Sequence, residues 1–110
     1  MGYTARQVEA EIFIPKKGVD AIGRPKLFEE QSGWKFFEND SGDIIEIYFV
    51  ADKPMQEDIE FLKGIAPHTK DGSYVELFGE DGLRWRWVID SGKVWEQQPE
   101  IKWKAFRGPL

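Results

Sequence analysis

The chain has 110 residues, enough for one domain over 1–110 and too few for a two-domain enzyme or a large α/β barrel. Its formal net charge of −5 disfavours broad nucleic-acid binding, and the lack of cysteine excludes disulfides and thiolate metal sites. Hydrophobic residues make up 41% and charged residues 32%, with no apolar run long enough to span a bilayer, so we expect a cytoplasmic, non-membrane protein.

The first predicted element is a strand over 3–14. Apolar and polar residues alternate there, which is typical of a strand with one wet face. The apolar face holds Val8, Ala10, Ile12 and Ile14, and the polar face holds Gln7, Glu9 and Glu11. Segment 15–33 loses this pattern and contains several glycines and prolines, so it predicts a long ordered loop with one helical turn near Leu27–Gln31.

A hairpin is predicted over 34–51, with a four-residue loop at 39–42. This loop pairs Glu38 with Asp43 and places Lys35 opposite Glu46, a favourable cross-strand pair. The apolar face then holds Trp34, Phe36, Ile45 and Ile47. A shift of the pairing by one residue would mix the two faces, so this register is preferred.

A period of three to four residues replaces the alternation after Asp52, and it predicts the main helix of the chain. Asp52 is the expected N-cap and Pro54 lies in the first turn, while Gly64 and Pro67 end the helix. The apolar stripe consists of Met55, Ile59, Leu62 and Ile65. The residues off this stripe include the acidic Glu57, Asp58 and Glu60.

Two further hairpins follow, and each is predicted to turn through a three-residue loop, Glu80–Gly82 and Asp90–Gly92. The pairs that result are Leu77–Trp85, Val75–Trp87, Trp87–Trp95 and Arg86–Glu96. One sheet face then carries the core candidates Val75, Leu77, Trp85, Trp87 and Trp95. The other face carries Glu76, Phe78, Arg84, Arg86 and Glu96.

The last strand is interrupted by Pro99, which removes a ladder donor and predicts an edge strand or a bulge. Ile101 and Trp103 resume the alternation. The element order β-β-β-α-β-β-β predicts an α+β fold, an antiparallel sheet of about six strands with one amphipathic helix packed on one face.

Three stretches resemble a family of small uncharacterised proteins from actinobacteria and their phages. They are the opening Met1-Gly2-Tyr3 with its alternating strand, the hairpin Gly79-Glu80-Asp81-Gly82-Leu83-Arg84-Trp85-Arg86, and the strand Pro99-Glu100-Ile101-Lys102-Trp103. These motifs consist of turn glycines and core tryptophans. The resemblance therefore implies a shared fold, and it brings no activity, cofactor or catalytic residue to this chain.

Residues that could carry catalysis are few. His68 is the one histidine, in a segment predicted as an exposed loop, and no serine stands out as its nucleophile partner. Segment 39–43 offers oxygens but lacks the downstream glutamate of a calcium loop, so a hairpin turn is the simpler interpretation. No glycine-rich loop opens a helix to cradle a phosphate. We therefore expect no enzyme, no cofactor and no metal.

The leading hypothesis is a non-catalytic domain that binds another protein, for example a phage-type inhibitor or modulator of a host protein. An acidic surface that attracts a basic partner is expected from Glu9, Glu11, Glu57, Asp58 and Glu60. The wet strand face adds Phe78, Arg84 and Arg86 as further partner-binding candidates, since aromatic and arginine side chains are enriched at interfaces.

Two other classes of function stay open. A pocket under loop 15–33 would make the chain a small-ligand-binding protein or an enzyme. A basic C-terminal edge with Lys102, Lys104 and Arg107 would make it a single-stranded nucleic-acid binder, although the net charge opposes this. A homo-oligomer is also open.

Overall fold

A computed structural model describes residues 3–28, 33–100 and 105–110. These residues form six strands, three α-helices and one 3-10 turn. In chain order the elements are β1 (Ala5–Glu11), α1 (Lys16–Ile22), α2 (Arg24–Phe28), β2 (Trp34–Glu38), β3 (Ile44–Phe49), α3 (Gln56–Ile65), the 3-10 turn (Ala66–His68), β4 (Ser73–Gly79), β5 (Arg84–Asp90) and β6 (Lys93–Gln97).

The strands form two antiparallel sheets, one of four strands in the order β1-β4-β5-β6 and one of two strands, β2-β3. The side chain of Gln7 joins them, because its Nε2 donates to the Ile47 carbonyl at 3.0 Å and its Oε1 accepts from the Phe49 N–H at 2.7 Å. An isolated bridge between Ile14 and Ile44 continues this seam. The predicted α+β fold with six antiparallel strands is confirmed, and across the seam the strands follow the order β2-β3-β1-β4-β5-β6.

The core lies between the two sheets and α3. Leu62 and Ile65 of α3 are fully buried in it. Trp34 of β2 and Trp87 of β5 meet there with ring centroids 6.3 Å apart, and Phe49 of β3 packs against both rings. The prediction that one amphipathic helix covers a sheet face is therefore confirmed, and ring packing ties the small sheet to the large one.

β1 is shorter than the strand predicted over 3–14, and it carries a bulge. It ends at Glu11, and its register against β4 shifts between Gln7 and Glu9. Val8, at the shift, is 37% exposed, so its predicted place on the buried face is wrong. The extra residue bends and rotates the strand. Gln7, expected on the wet face, is half-buried as a result and replaces part of the missing ladder between β1 and β3.

The prediction of a long loop over 15–33 is wrong, because α1 and α2 occupy most of it. The Pro15 carbonyl accepts hydrogen bonds from the N–H groups of Gly18 and Val19 at the start of α1. Helices this short are marginal in water by themselves. Burial of Val19 in α1 and Leu27 in α2 stabilises them. The predicted helical turn ends at Gln31, which lies outside the described residues.

The hairpin of β2 and β3 forms with a register different from the predicted one. The observed pairs are Trp34–Phe49, Lys35–Tyr48, Phe36–Ile47, Phe37–Glu46 and Glu38–Ile44. The register shifts beside Glu38, which leaves Ile45 exposed and not on the predicted apolar face. The Asn39 side chain lies at this shift, and its Oδ1 accepts the Asp43 N–H at 3.0 Å within the turn. Lys35 consequently lies opposite Tyr48 and not opposite a glutamate.

α3 begins after Met55, later than predicted. The carboxylate of Asp58 accepts the Met55 N–H at 2.9 Å, which satisfies a free donor at the helix start. Asp52, the predicted N-cap, instead accepts the Ala5 N–H with its backbone carbonyl. Gly64 lies inside the helix, which ends one residue later.

The predicted hairpin of β4 and β5 is confirmed in every pair that defines its loop. Leu77 pairs with Trp85 and Val75 pairs with Trp87, across the two strands that the turn with Gly82 joins. Among the described residues β6 is the edge strand of its sheet, which agrees with the prediction from Pro99. Ile101 and Trp103, where the alternation was expected to resume, lie outside the described residues.

The predicted register between β5 and β6 is wrong by one residue. The turn has two central residues, Ser91 and Gly92, with φ of 54° and 73°. Such a turn matches the twist of the flanking strands, so it is favoured over a three-residue loop. Trp95 then pairs with Val88 and is 52% exposed, because a slip of one residue moves a side chain to the other face. Glu96 consequently lies opposite Trp87 and not opposite an arginine.

Candidate functional site

One face of the four-stranded sheet points away from α3, and we call it the outer face. It is defined by Arg6, Glu9, Glu11, Tyr74, Glu76, Phe78, Arg84, Arg86, Val88 and Trp95. Strand pairing brings these residues into lateral rows, with Glu9 beside Glu76 and Glu76 beside Arg86. A sheet face of this kind is usually solvated and polar. Here it also carries four bulky apolar or aromatic side chains.

Glu76 is the centre of the outer face. It is only 7% exposed although it lies on the side opposite the core. Its Oε1 accepts a hydrogen bond from Arg86 Nε at 2.8 Å, and its Oε2 forms an ion pair with Arg84 Nε at 3.2 Å. The hydrogen bond that Arg86 donates to Glu76 raises the pKa of Arg86. Arg86 also lies 3.7 Å from Glu9, so one guanidinium bridges two carboxylates that would otherwise repel each other.

Arginines also cover the aromatic rings of the outer face. The Arg86 guanidinium lies 4.2 Å from the centre of the Tyr74 ring. Arg84 and Arg6 lie 5.5 Å and 5.6 Å from the Phe78 ring. Each contact is a cation–π geometry, which adds attraction to the charge pairing. Long side chains that are normally mobile are therefore held in fixed positions on this face.

Tyr74 is fixed at both ends. Its hydroxyl donates to Glu9 Oε1 at 2.8 Å while its ring carries the Arg86 guanidinium. Burial and the bond to Glu9 raise the pKa of Tyr74. The phenol consequently stays protonated and continues to donate to the carboxylate over the ordinary range of pH.

The structure divides the predicted partner-binding residues into two groups. Glu9, Glu11, Phe78, Arg84 and Arg86 come together on the outer face. The other predicted residues, Glu57, Asp58 and Glu60, belong to α3, which packs on the inner face. The expected common acidic surface therefore does not form, because the sheet separates its two halves.

Asp58 is not a surface residue at all. Its side chain is buried, and it accepts hydrogen bonds from Trp34 Nε1 at 3.0 Å and from the Met55 N–H. The expectation that Asp58 presents charge to a partner is wrong, because it anchors α3 to β2. Glu57 and Glu60 are exposed, and the hydrogen bond from Gln56 followed by the Lys63 ion pair lowers the pKa of Glu60.

Sequence reasoning missed four members of the outer face as site residues, Arg6, Glu76, Val88 and Trp95, and it predicted Tyr74 only as an exposed aromatic ring on a wet strand face. The pairing of Glu76 with Arg86 follows from the correctly predicted loop between β4 and β5, so the charge network was within reach. The exposure of Trp95 was not, because it depends on the length of the next turn.

A cleft of about 710 Å³ lies at the rim of the outer face, and we call it the rim cleft. Its lining includes Tyr3, Phe78, Asp81, Trp85, Glu96 and Pro99. The Tyr3 hydroxyl donates to Asp81 Oδ1 across the β4–β5 turn. This bond raises the pKa of Tyr3 to about 12 and lowers the pKa of Asp81. A Cβ at Gly79 would overlap the Tyr3 hydroxyl, so a glycine there allows the close approach.

A second cleft, of about 530 Å³, lies between α1 and the 3-10 turn. Lys17, Gly18 and Ala21 line one wall, and His68 and Lys70 belong to the other. His68 is half-buried in the 3-10 turn, so its predicted position in an exposed loop is wrong. The cleft lies against segment 15–33, under which a pocket is one of the open alternatives of the sequence analysis.

Segment 39–43, which offers oxygens for a metal in the sequence, forms the turn between β2 and β3. Asn39 Oδ1 accepts the N–H groups of Ser41 and Asp43, and Asp43 Oδ1 accepts the Lys16 N–H at 2.8 Å. These oxygens serve the hairpin turn, as predicted. Across the described residues, no group of three or more His, Cys, Asp or Glu side chains could hold a metal ion.

No helix among the described residues is long and apolar enough to cross a membrane. Comparison with known proteins finds no matching family model, no matching curated protein and no matching solved structure. The resemblance to the actinobacterial and phage family stays a prediction.

Proposed function

We propose that this chain is a non-catalytic protein-binding domain that presents the outer face of its four-stranded sheet to another protein. The observation that carries the proposal is the locked arginine–aromatic network around the buried Glu76, next to the exposed ring of Trp95. Tryptophan, tyrosine and arginine are the residues that most often dominate binding energy at protein interfaces.

Preorganisation supports the proposal. A mobile arginine loses rotamer freedom when a partner binds it, and this loss weakens affinity. Arg84 and Arg86 have already lost that freedom, because Glu76 and the rings beneath them hold their guanidiniums. Their remaining donors point to a partner at little further entropic cost.

The pair of Val88 and Trp95 supplies the apolar part of such an interface. The two residues lie opposite each other on β5 and β6, and Trp95 Nε1 donates to the Asp90 carbonyl at 3.0 Å. That hydrogen bond orients an indole ring that is half accessible to solvent. An oriented, exposed ring beside a polar network resembles the mixture of an apolar centre and a polar surround found in interfaces.

The acidic residues of α3 add long-range attraction to the proposal. With a net charge of −5 and exposed Glu57 and Glu60, the chain would draw in a partner that has a basic surface. An inhibitor or modulator of a host protein, as in phages, is one role that fits this charge, and the family resemblance is its only other support.

A small-ligand-binding protein is the second candidate, favoured by the cleft of about 530 Å³ beside His68, a size that accommodates a small molecule. Single-strand nucleic-acid binding has less support. The guanidiniums of Arg84 and Arg86 are paired with carboxylates and cover the Tyr74 and Phe78 rings on which bases would stack.

The proposed function is tested with two matched variants. Trp95→Ala removes an exposed ring from the outer face, and Phe37→Ala removes an exposed ring from β2, the strand farthest from β6 in the order. A partner isolated from a lysate of the source organism should bind Phe37→Ala as it binds the wild type, and should bind Trp95→Ala about thirtyfold more weakly. Equal affinity for both variants would refute the proposal.

A further inference from the structure

We propose that the rim cleft receives a cationic side chain, an arginine or lysine, of the partner protein. This inference rests on the proposed function, and it assigns the chemistry of one contact within it. The cleft joins the outer face at Phe78 and Arg84, so a partner that lies on the outer face can extend a side chain into it.

The early end of β6 creates the rim cleft. Arg86 pairs with Gln97, the last residue of β6, and continuation of the ladder would place Gln98 opposite Trp85. Pro99 has no N–H and the strand stops before that pair forms. Trp85 is therefore left half-buried at the edge of β5, although its neighbour Trp87 is fully covered.

Aromatic rings form the apolar part of the rim cleft. The rings of Tyr3 and Trp85 have centroids 6.2 Å apart and are tilted by 41° to each other. Trp85 packs edge-on against Trp87, which fixes its orientation. A tryptophan face is the strongest of the side-chain partners for a cation.

Carboxylates form the charged part. Asp81 and Glu96 both line the cleft. Asp81 keeps one oxygen for Tyr3 and the Leu83 N–H, which holds the group in place. Among the described residues that line the cleft, Arg84 is the one cation, and it is paired with Glu76 and lies over Phe78, so its charge is directed to the outer face.

The charge and shape together select the occupant. A carboxylate ligand would meet Asp81 and Glu96, and an uncharged aliphatic side chain would leave them without a counter-charge. A guanidinium or ammonium group on a flexible stem satisfies both features, because the stem packs against Tyr3 and Trp85 and the charge pairs with the carboxylates.

The probe is N-acetyl-arginine amide, with N-acetyl-citrulline amide as the uncharged control of the same shape. The full chain, labelled with ¹⁵N, is titrated with each compound while the indole N–H of Trp85 and the backbone N–H groups of Asp81 and Glu96 are followed. The arginine amide should shift these signals with an affinity about two- to fivefold higher than the citrulline amide. Equal affinities would overturn the inference, as would shifts that are spread evenly over the chain.

Two glutamine variants separate a local contact from general attraction to an acidic protein. Glu96→Gln removes a carboxylate of the rim cleft, and Glu57→Gln removes an exposed carboxylate of α3. Both substitutions change the net charge by the same amount. The arginine amide should bind Glu96→Gln about two- to fivefold more weakly and Glu57→Gln unchanged. Equal weakening in both variants would overturn the inference.

The two proposals fail in different ways. If Trp95→Ala loses the partner while Glu96→Gln binds both the partner and the arginine amide as the wild type does, the outer face is the interface and the rim cleft is not used. If the arginine amide binds as expected while Trp95→Ala retains full partner affinity, the proposed function is wrong, and with it the assignment of the cleft to a partner.

Discussion

The two faces of the four-stranded sheet come from the same strands and are stabilised by different physics. On the inner face, alternate residues of β4 and β5 are buried against α3 and the small sheet: Val75, Leu77, Trp87 and Ile89. On the outer face, the residues between them form ion pairs and cation–π contacts around one buried carboxylate. Apolar burial on the inner face dominates the stability of the sheet, whereas the outer network mainly fixes the positions of side chains.

This difference suggests that the inner face provides stability and the outer face provides recognition. A core residue contributes through the area it removes from water, so its loss lowers stability wherever the partner binds. An exposed residue of the outer face, unlike the buried Glu76, contributes little net free energy of folding, because the desolvation of charge offsets the attraction between charges. Its loss should therefore affect recognition more than folding. Measurements of stability and of binding on variants of each face therefore separate the two roles.

The largest effect is expected from Trp87→Ala. Trp87 is 5% exposed and packs against Trp34, Phe49 and Trp85, so its truncation should lower the free energy of unfolding by about 3–5 kcal/mol. The matched control is Trp95→Ala on the outer face, with an expected loss below about 1 kcal/mol. Chemical denaturation followed by circular dichroism measures both. Similar losses in the two variants would contradict the assignment of the faces.

The second effect concerns Glu76→Gln, which removes the charge and keeps the shape. Arg84 and Arg86 remain partly exposed, so they can turn to water, and we expect a loss of about 1–2 kcal/mol in the free energy of unfolding. Glu96→Gln is the control, with a change within about 0.5 kcal/mol because Glu96 is exposed. If Glu76→Gln is as stable as the wild type, the outer network does not hold its arginines.

Local pattern was enough to predict the hairpin of β4 and β5 and insufficient for the next one. In the first, the two faces of each strand differ in polarity and Gly82 marks the turn, so only one register agrees with both signals. In the second, Trp95 stands on an edge strand where either face can hold an aromatic ring. The face that Trp95 occupies depends on the length of the turn before it. Ser91 adopts a positive φ in that turn, which its residue type does not predict.

The other wrong predictions from the sequence concern features that depend on contacts between distant residues. The pattern of α3 alone predicts Asp58 as a surface acid, whereas the Trp34 indole, contributed by β2, accounts for its burial. The short helices of segment 15–33 depend on the burial of Val19 and Leu27 in a core built mostly by other segments. Helical periodicity over so few residues is too weak a signal to reveal them. The prediction of a common acidic surface was wrong for the same reason, because assigning residues to the faces of each element does not show which faces meet in the fold.

The third prediction tests the turn that brings Trp95 to the outer face. Ser91 has φ of 54°, a conformation that glycine adopts without steric cost. Ser91→Gly should raise the free energy of unfolding by about 0.5 kcal/mol, less than the full strain because glycine also loosens the unfolded chain. Ser41, in the turn between β2 and β3, does not have a positive φ. Ser41→Gly therefore relieves no backbone strain and should be neutral or destabilising. A loss of stability in Ser91→Gly would contradict the two-residue turn and the exposure of Trp95.

The fourth prediction concerns pH and the rim of the outer face. The Tyr3–Asp81 hydrogen bond raises the pKa of Tyr3 from 10.0 to about 12, so its stabilising effect is complete below pH 10.0 and is lost as the pH rises toward 12. The same bond lowers the pKa of Asp81 from 3.8, so the effect is present above pH 3.8 and is lost as the pH falls through the lower value of the folded state.

Tyr3→Phe isolates this bond. The difference in the free energy of unfolding between the wild type and Tyr3→Phe should be constant from pH 3.8 to pH 10.0 and should shrink beyond either limit. Denaturant titrations of both proteins across this range provide the measurement. A difference that does not depend on pH would mean that the phenol does not donate to Asp81, and the aromatic wall of the rim cleft would then be free to move.

The smallest effect is expected from Glu60→Gln on α3. Glu60 is exposed, and its bonds to Gln56 and Lys63 are surface contacts, so the free energy of unfolding should change by less than about 0.5 kcal/mol.

Because α3 lies behind the sheet, a partner seated on the outer face cannot touch this residue. Loss of one acidic charge should slow association slightly at low salt and leave the dissociation rate unchanged, since screened charges act before contact is made. Stopped-flow or surface-based kinetics with the isolated partner, at low and high salt, distinguish the two rates. Faster dissociation of Glu60→Gln would place α3 within the interface, and the inner side of the molecule would then share the role assigned to the outer face.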